Sequence, residues 1–92
     1  MRVKVRLFGE FREAAGKETV ELELPVEADC EAALRELVRV EPKLSNLLFS
    51  EGGLRDHLHV FLNGENVSHR EGLKTKLSEG DVLTFFAPIS GG

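Results

Sequence analysis

Val82-Leu83-Thr84-Phe85-Phe86-Ala87-Pro88-Ile89-Ser90-Gly91-Gly92 is the stretch from which the rest of the chain is read. Leu83 and Phe85 alternate with Val82, Thr84 and Phe86, the two-residue period of a strand with one buried face. Pro88 has no N–H to give a ladder and stiffens the exit, so the strand is expected to stop before it. Gly91 and Gly92 lack a Cβ and can enter a passage only as wide as a backbone. Extended at about 3.3 Å per residue, the segment from Ala87 reaches roughly 20 Å. We expect a domain over residues 1–86 and a flexible tail over 87–92 whose only chemistry is a free carboxylate. A frayed end is the plain alternative. At an average glycine share of about 7%, however, a terminal pair arises by chance in roughly one chain in two hundred.

The 92 residues suffice for one core and not for two. With 41% apolar and 30% charged residues, the composition is that of a globular domain. The single cysteine, Cys30, excludes an internal disulfide and suits a reducing compartment. No apolar run is long enough to cross a membrane, and Met1 to Arg6 alternates charge with aliphatics instead of building a signal sequence. A cytoplasmic location is expected, with no membrane partner. The net charge of −4 argues against a nucleic-acid partner, which wants a basic footprint.

Upstream, Val3, Val5 and Leu7 alternate with Lys4, Arg6 and Phe8, and Val20, Leu22 and Leu24 alternate with Glu21 and Glu23. Opposite charges on the two wet faces suit an antiparallel pair. Gly9 to Gly16, carrying Phe11, Ala14 and Ala15, reads as a packed turn or helical turn between them. Asp29 or Glu31 opens a helix that runs to about Glu41, where Pro42 stops it. Cys30, Leu34, Leu37 and Val38 form its apolar stripe. Leu44, Leu47, Leu48 and Phe49 suggest a short helical turn, followed by a loop over Ser50-Glu51-Gly52-Gly53. A strand over residues 58–62 leads to Asn63-Gly64, a type I′ hairpin signal, and a return strand over Glu65 to Ser68. Leu73 and Leu77 anchor the connection to the last strand. The pattern is β-β-α-β-β-β, a two-layer α+β domain with a mixed sheet of four to five strands and one main helix on one face.

Leu7-Phe8, Phe11-Arg12-Glu13, Ala15-Gly16, Leu77, Gly80-Asp81 and the Phe-Phe-x-Pro-x-Ser-Gly-Gly ending together resemble the MoaD/ThiS family of ubiquitin-like sulfur carriers. The flavour is similar to its archaeal MoaD-related group, which overlaps small archaeal modifier proteins. The resemblance implies a β-grasp fold with the first and last strands parallel and central. It also implies that Gly92, preceded by Gly91, is adenylated by an E1-like adenylating enzyme using ATP and then becomes a thiocarboxylate. No cofactor would be bound permanently, and catalysis would reside in partners. The family docks through one sheet face, which points to Phe8, Phe61 and Phe86, with Arg12 as a basic residue for an acidic partner group, and Pro88 and Ile89 in the tail. Lys43 to His57 is longer than in compact family members, and the Asn63-Gly64 hairpin replaces a shorter turn.

Three functions remain at this point. One is a sulfur carrier for the dithiolene of a molybdenum or tungsten cofactor, as the small subunit of a molybdopterin synthase whose large subunit is the partner. The second is a protein modifier joined through Gly92 to lysine-conjugated proteins. The third is a β-grasp interaction module with an incidental ending. The chain holds no phosphate loop and no nucleophile beside a base, so it is not read as an enzyme. Cys30 suits packing better than persulfide chemistry, because it lies on the helix's apolar stripe. His57, His59 and His69 with Asp56 have the spacing of only a loose metal pair, and no metal is expected. Lys4, Lys17, Lys43, Lys74 and Lys76 are ordinary surface charges, any of which is a candidate acceptor.

Overall fold

The computed structural model describes residues 1–51, 53–55 and 58–86; the tail expected over 87–92 lies outside the described residues, as do Gly52, Asp56 and His57. Strand β1 (Arg2–Arg6) is followed by helix α1 (Gly9–Ala15) and strand β2 (Thr19–Glu23). Helix α2 (Cys30–Val40) leads through a 3-10 turn at Pro42–Leu44 to the short helix α3 (Ser45–Leu48). Strands β3 (Phe49–Ser50), β4 (Gly53–Leu54), β5 (His59–Leu62), β6 (Glu65–Asn66) and β7 (Val82–Phe86) complete the chain. The main sheet has the order β2-β1-β7-β5-β6, with β3 and β4 forming a separate two-stranded ladder. β1 and β7 run parallel and every other pair is antiparallel. This is a β-grasp, ubiquitin-like fold, and its last strand lies in the middle of the sheet.

The alternation in β1 and β2 becomes a ladder in which Arg2 faces Glu23 and Lys4 faces Glu21. Opposite charges meet on the wet side while Val3, Val5, Val20 and Leu22 are buried on the other. The connection between these strands is α1, which ends where Gly16 takes a left-handed φ of 74° and donates its N–H to the Arg12 carbonyl. α2 starts at Asp29, whose Oδ1 accepts the Ala32 N–H at 2.9 Å. It buries Cys30, Ala33, Leu34 and Leu37 against the sheet, while Val38 stays partly exposed. Arg35 pairs with Glu31 and Arg39 with Glu36 on its wet face. Phe11 from α1 meets Phe85 from β7 edge to face at 4.7 Å, tying the first connection to the last strand.

Three local expectations are corrected. Ser50 to Gly53 is not merely a loop, because Phe49 pairs with Leu54 and Ser50 with Gly53; two-residue strands are too short to show a period. The return strand stops at Asn66 instead of Ser68. The Asn66 side chain accepts the Ser68 N–H and caps a 3-10 turn over Val67–His69, which buries Val67 and leaves His69 off the sheet. Leu58 precedes β5 but is buried nonetheless.

The side chains of Asn63 and Asp81 hold the start of β7. Asn63 has φ 51° and Gly64 φ 89°, both positive as a type I′ turn requires. The Asn63 Nδ2 donates to Asp81 Oδ1 at 3.0 Å, and its Oδ1 accepts the Val82 N–H at 2.9 Å. Asp81 Oδ2 in turn accepts the Ser78 N–H at 2.7 Å. Asn63→Ala removes two hydrogen bonds, one of them to a carboxylate, and puts alanine in a left-handed conformation. We expect a loss of about 2–3 kcal/mol in urea unfolding, with the native fold retained.

Candidate functional site: an aromatic patch on the outer sheet face

β7 turns Leu83 and Phe85 into the core and leaves Val82, Thr84 and Phe86 on the opposite face. Phe61 lies opposite Thr84 and His59 opposite Phe86 in the β5–β7 register, so they share that outer face. Phe8 extends from β1 in a β conformation and serves as the N-cap of α1. Its ring stacks with Phe86 at 5.4 Å, and Phe61 meets Phe86 edge-on at 5.7 Å. Phe86 is thus the middle ring of three. It remains 42% exposed, while Phe8 and Phe61 are half-buried. The three rings partly cover one another.

The patch opens into a shallow groove of about 480 Å³ lined by Arg6, Phe8, Phe61, Asn63, Thr84 and Phe86, among others. Arg6 was assigned to this face by its parity with Phe8 but not to the site, and its guanidinium lies 5.3 Å from the Phe8 ring centroid. Arg12 is exposed on α1 and joins no ion pair among the described residues. Its backbone N–H reaches the Phe8 carbonyl at 3.3 Å, so it sits one helical turn from the patch. Pro88, Ile89, Gly91 and Gly92 lie outside the described residues.

The remaining chemistry-bearing residues do not gather. Among the described residues no group of three His, Cys, Asp or Glu side chains is placed to hold a metal ion, and no helix is long and apolar enough to cross a membrane. Cys30 is fully buried, and burial, followed by the nearby Asp29 charge, pushes its thiol up to about 11. A thiol held in that state is a packing residue.

A mixed five-stranded sheet, one main helix and an apolar outer patch define a ubiquitin-like β-grasp domain. The chain belongs to the ThiS family, which matches it over residues 5–92. It is 32% identical to small archaeal modifier protein 3 of Haloferax volcanii over 92 residues, covering both chains completely. The crystal structure of SAMP1 from Haloferax volcanii superposes with a TM-score of 0.90 at 34% identity, again covering all of both chains. A putative molybdopterin converting factor, subunit 1, from Pyrococcus furiosus gives a TM-score of 0.77 at 31% identity, covering 97% of this chain and 99% of that one. The corresponding factor of Helicobacter pylori is solved as a complex of subunits 1 and 2, with a TM-score of 0.63 at 25% identity and full coverage of both chains. Relatives of this chain thus include modifiers and a subunit that assembles with a partner protein.

Two outcomes check this picture. Phe86→Asp is expected to weaken binding to an activating enzyme by tenfold or more while keeping the native fold and lowering the melt only by the loss of its contacts to Phe8 and Phe61, because the side chain lies outside the core; isothermal titration reads the first and circular dichroism the second. Cys30 is expected to resist iodoacetamide in the folded chain and react in urea. Its folded pKa is raised, so its contribution to stability is fully present below about pH 9 and is lost as the pH climbs towards about 11. Urea midpoints across that window measure the loss.

Proposed function

We propose that this protein is a sulfur carrier whose Gly92 carboxylate is activated by a partner enzyme and converted to a thiocarboxylate. We further propose that it serves as the small subunit of a molybdopterin synthase. The observation that carries the first reading is the family match running through Gly92 itself, with relatives aligned over their full length. The second draws on the kinship to subunit 1 of molybdopterin converting factor. The patch around Phe86 supports both, since it gives a partner a hold on the residue that immediately precedes the tail segment.

The chemistry follows from the weakness of a carboxylate as an electrophile. Its oxygen attacks the α-phosphorus of ATP and expels pyrophosphate, leaving an acyl-adenylate with AMP as a good leaving group. A sulfur nucleophile of the hydrosulfide class then attacks the carbonyl carbon and expels AMP, which gives the thiocarboxylate. ATP belongs to the partner, and this chain supplies the carbonyl and the docking face. Two glycines let the backbone thread a narrow channel without side-chain clashes.

A modifier reading is favoured by the full-length kinship to small archaeal modifier protein 3. It uses the same adenylate, attacked by a lysine amine so that an amide forms and AMP leaves. The two outcomes share every step up to the nucleophile. Deleting Gly92, or appending one alanine after it, displaces the reacting carbonyl and is expected to abolish ATP–pyrophosphate exchange by the cognate activating enzyme. Exchange at the native rate with either variant would reject the carrier and modifier readings together.

A further inference from the structure

Arg6 differs from the other cations of β1. Arg2 faces Glu23 and Lys4 faces Glu21 across the ladder to β2, whereas Arg6 faces Thr19. It joins no ion pair among the described residues. Its guanidinium instead lies against Phe8, whose ring stacks on Phe86. Its backbone is fixed as well, because the Arg6 carbonyl accepts the Thr84 hydroxyl at 2.9 Å. A permanent charge is therefore held in the wall of the apolar groove, on a strand and not on a loop.

We propose that Arg6 reads the charge of the docking partner, selecting an activating enzyme that presents a carboxylate at the edge of its apolar socket. This inference rests on the docking reading above. When an apolar surface covers the Phe8–Phe86 pair, water is stripped from the neighbouring guanidinium. Stacking on Phe8 offsets part of that cost through the ring's negative face, but the N–H donors at the guanidinium edge still need acceptors. A neutral apolar partner leaves them unpaired, and a cationic partner is repelled. A carboxylate accepts two parallel N–H bonds and balances the charge. The column next to Arg6 reinforces the choice, since Glu23 and Glu21 stand across the ladder from Arg2 and Lys4 whereas Thr19, opposite Arg6, offers no charge.

The test compares the native chain with Arg6→Gln, Arg6→Lys and Phe86→Asp. Affinity and association rate for the activating enzyme are measured at low and high salt, with a thermal melt of each variant. Arg6→Gln is expected to bind roughly fivefold to thirtyfold more weakly at low salt, with a flatter salt dependence of association. Arg6→Lys keeps the charge but not the planar fork, and is expected to recover only part of the affinity. Native affinity and salt slope in Arg6→Gln, beside lost binding in Phe86→Asp, would overturn the role of Arg6 and leave the docking face standing. Native binding in both would overturn the docking reading and this inference with it. Should Arg6→Gln melt early, Arg6→Lys decides: undiminished affinity rejects the bidentate contact.

Discussion

The parallel ladder between β1 and β7, with Lys4 beside Val82 and Arg6 beside Thr84, is the constraint on which the molecule turns. It joins the first and last strands and places β7 between β1 and β5. A strand paired on both edges cannot fray without breaking two ladders, and β7 also buries Leu83 and Phe85 in the core. Phe86, beyond the last β1 partner, is held by its pairing with His59 of β5 and by ring contacts to Phe8 and Phe61. That matters for any chemistry on the segment that follows, because a reacting carbonyl must be delivered to another protein's site from a defined starting point.

The two faces of the sheet divide the work. Aliphatic residues of β1, β2, β5 and β7 meet α2 and the Leu44 and Leu48 cluster, which supplies the hydrophobic stabilisation. The opposite face carries a column of acids on β2 and a column of bases on β1, followed by the phenylalanine cluster around β7. Apolar rings left on an outer face cost solubility. Their mutual stacking reduces that cost and leaves Phe86 partly open. Under the function proposed above, this face is what a partner reads, since a glycine end carries no side chain to recognise.

Much of this was legible in the chain because it is local. Alternation marked β1, β2 and β7, the apolar stripe marked α2, and Asn63-Gly64 marked its turn through the positive φ both residues adopt. The parity of Phe8, Phe61 and Phe86 put them on one face, but parity gives a face and not a register. Their contact depends on β5 sliding to pair Phe61 with Thr84 and on Phe8 staying extended as a helix cap. The parallel pairing of β1 with β7 spans nearly the whole chain, and only the family resemblance implied it. β3 and β4 were hidden by their length. Asn66 ended its strand early by spending its side chain on the Ser68 N–H, a competition that composition does not reveal. Arg6 stood in view throughout, and its place emerged only with the register that sets Thr19 opposite it and the contact that lays its guanidinium against Phe8.

On the proposed function, a compact domain offers Gly92 for activation by another protein. Intact mass of the chain isolated from its native host, with digests of the proteins around it, tests this most directly. The expected result is a fraction of the chain ending at Gly92 and heavier by about 16 Da, sulfur replacing oxygen, or Gly-Gly remnants on lysines of other proteins. A chain of unmodified mass under sulfur-replete growth, with no such remnants anywhere, would contradict it.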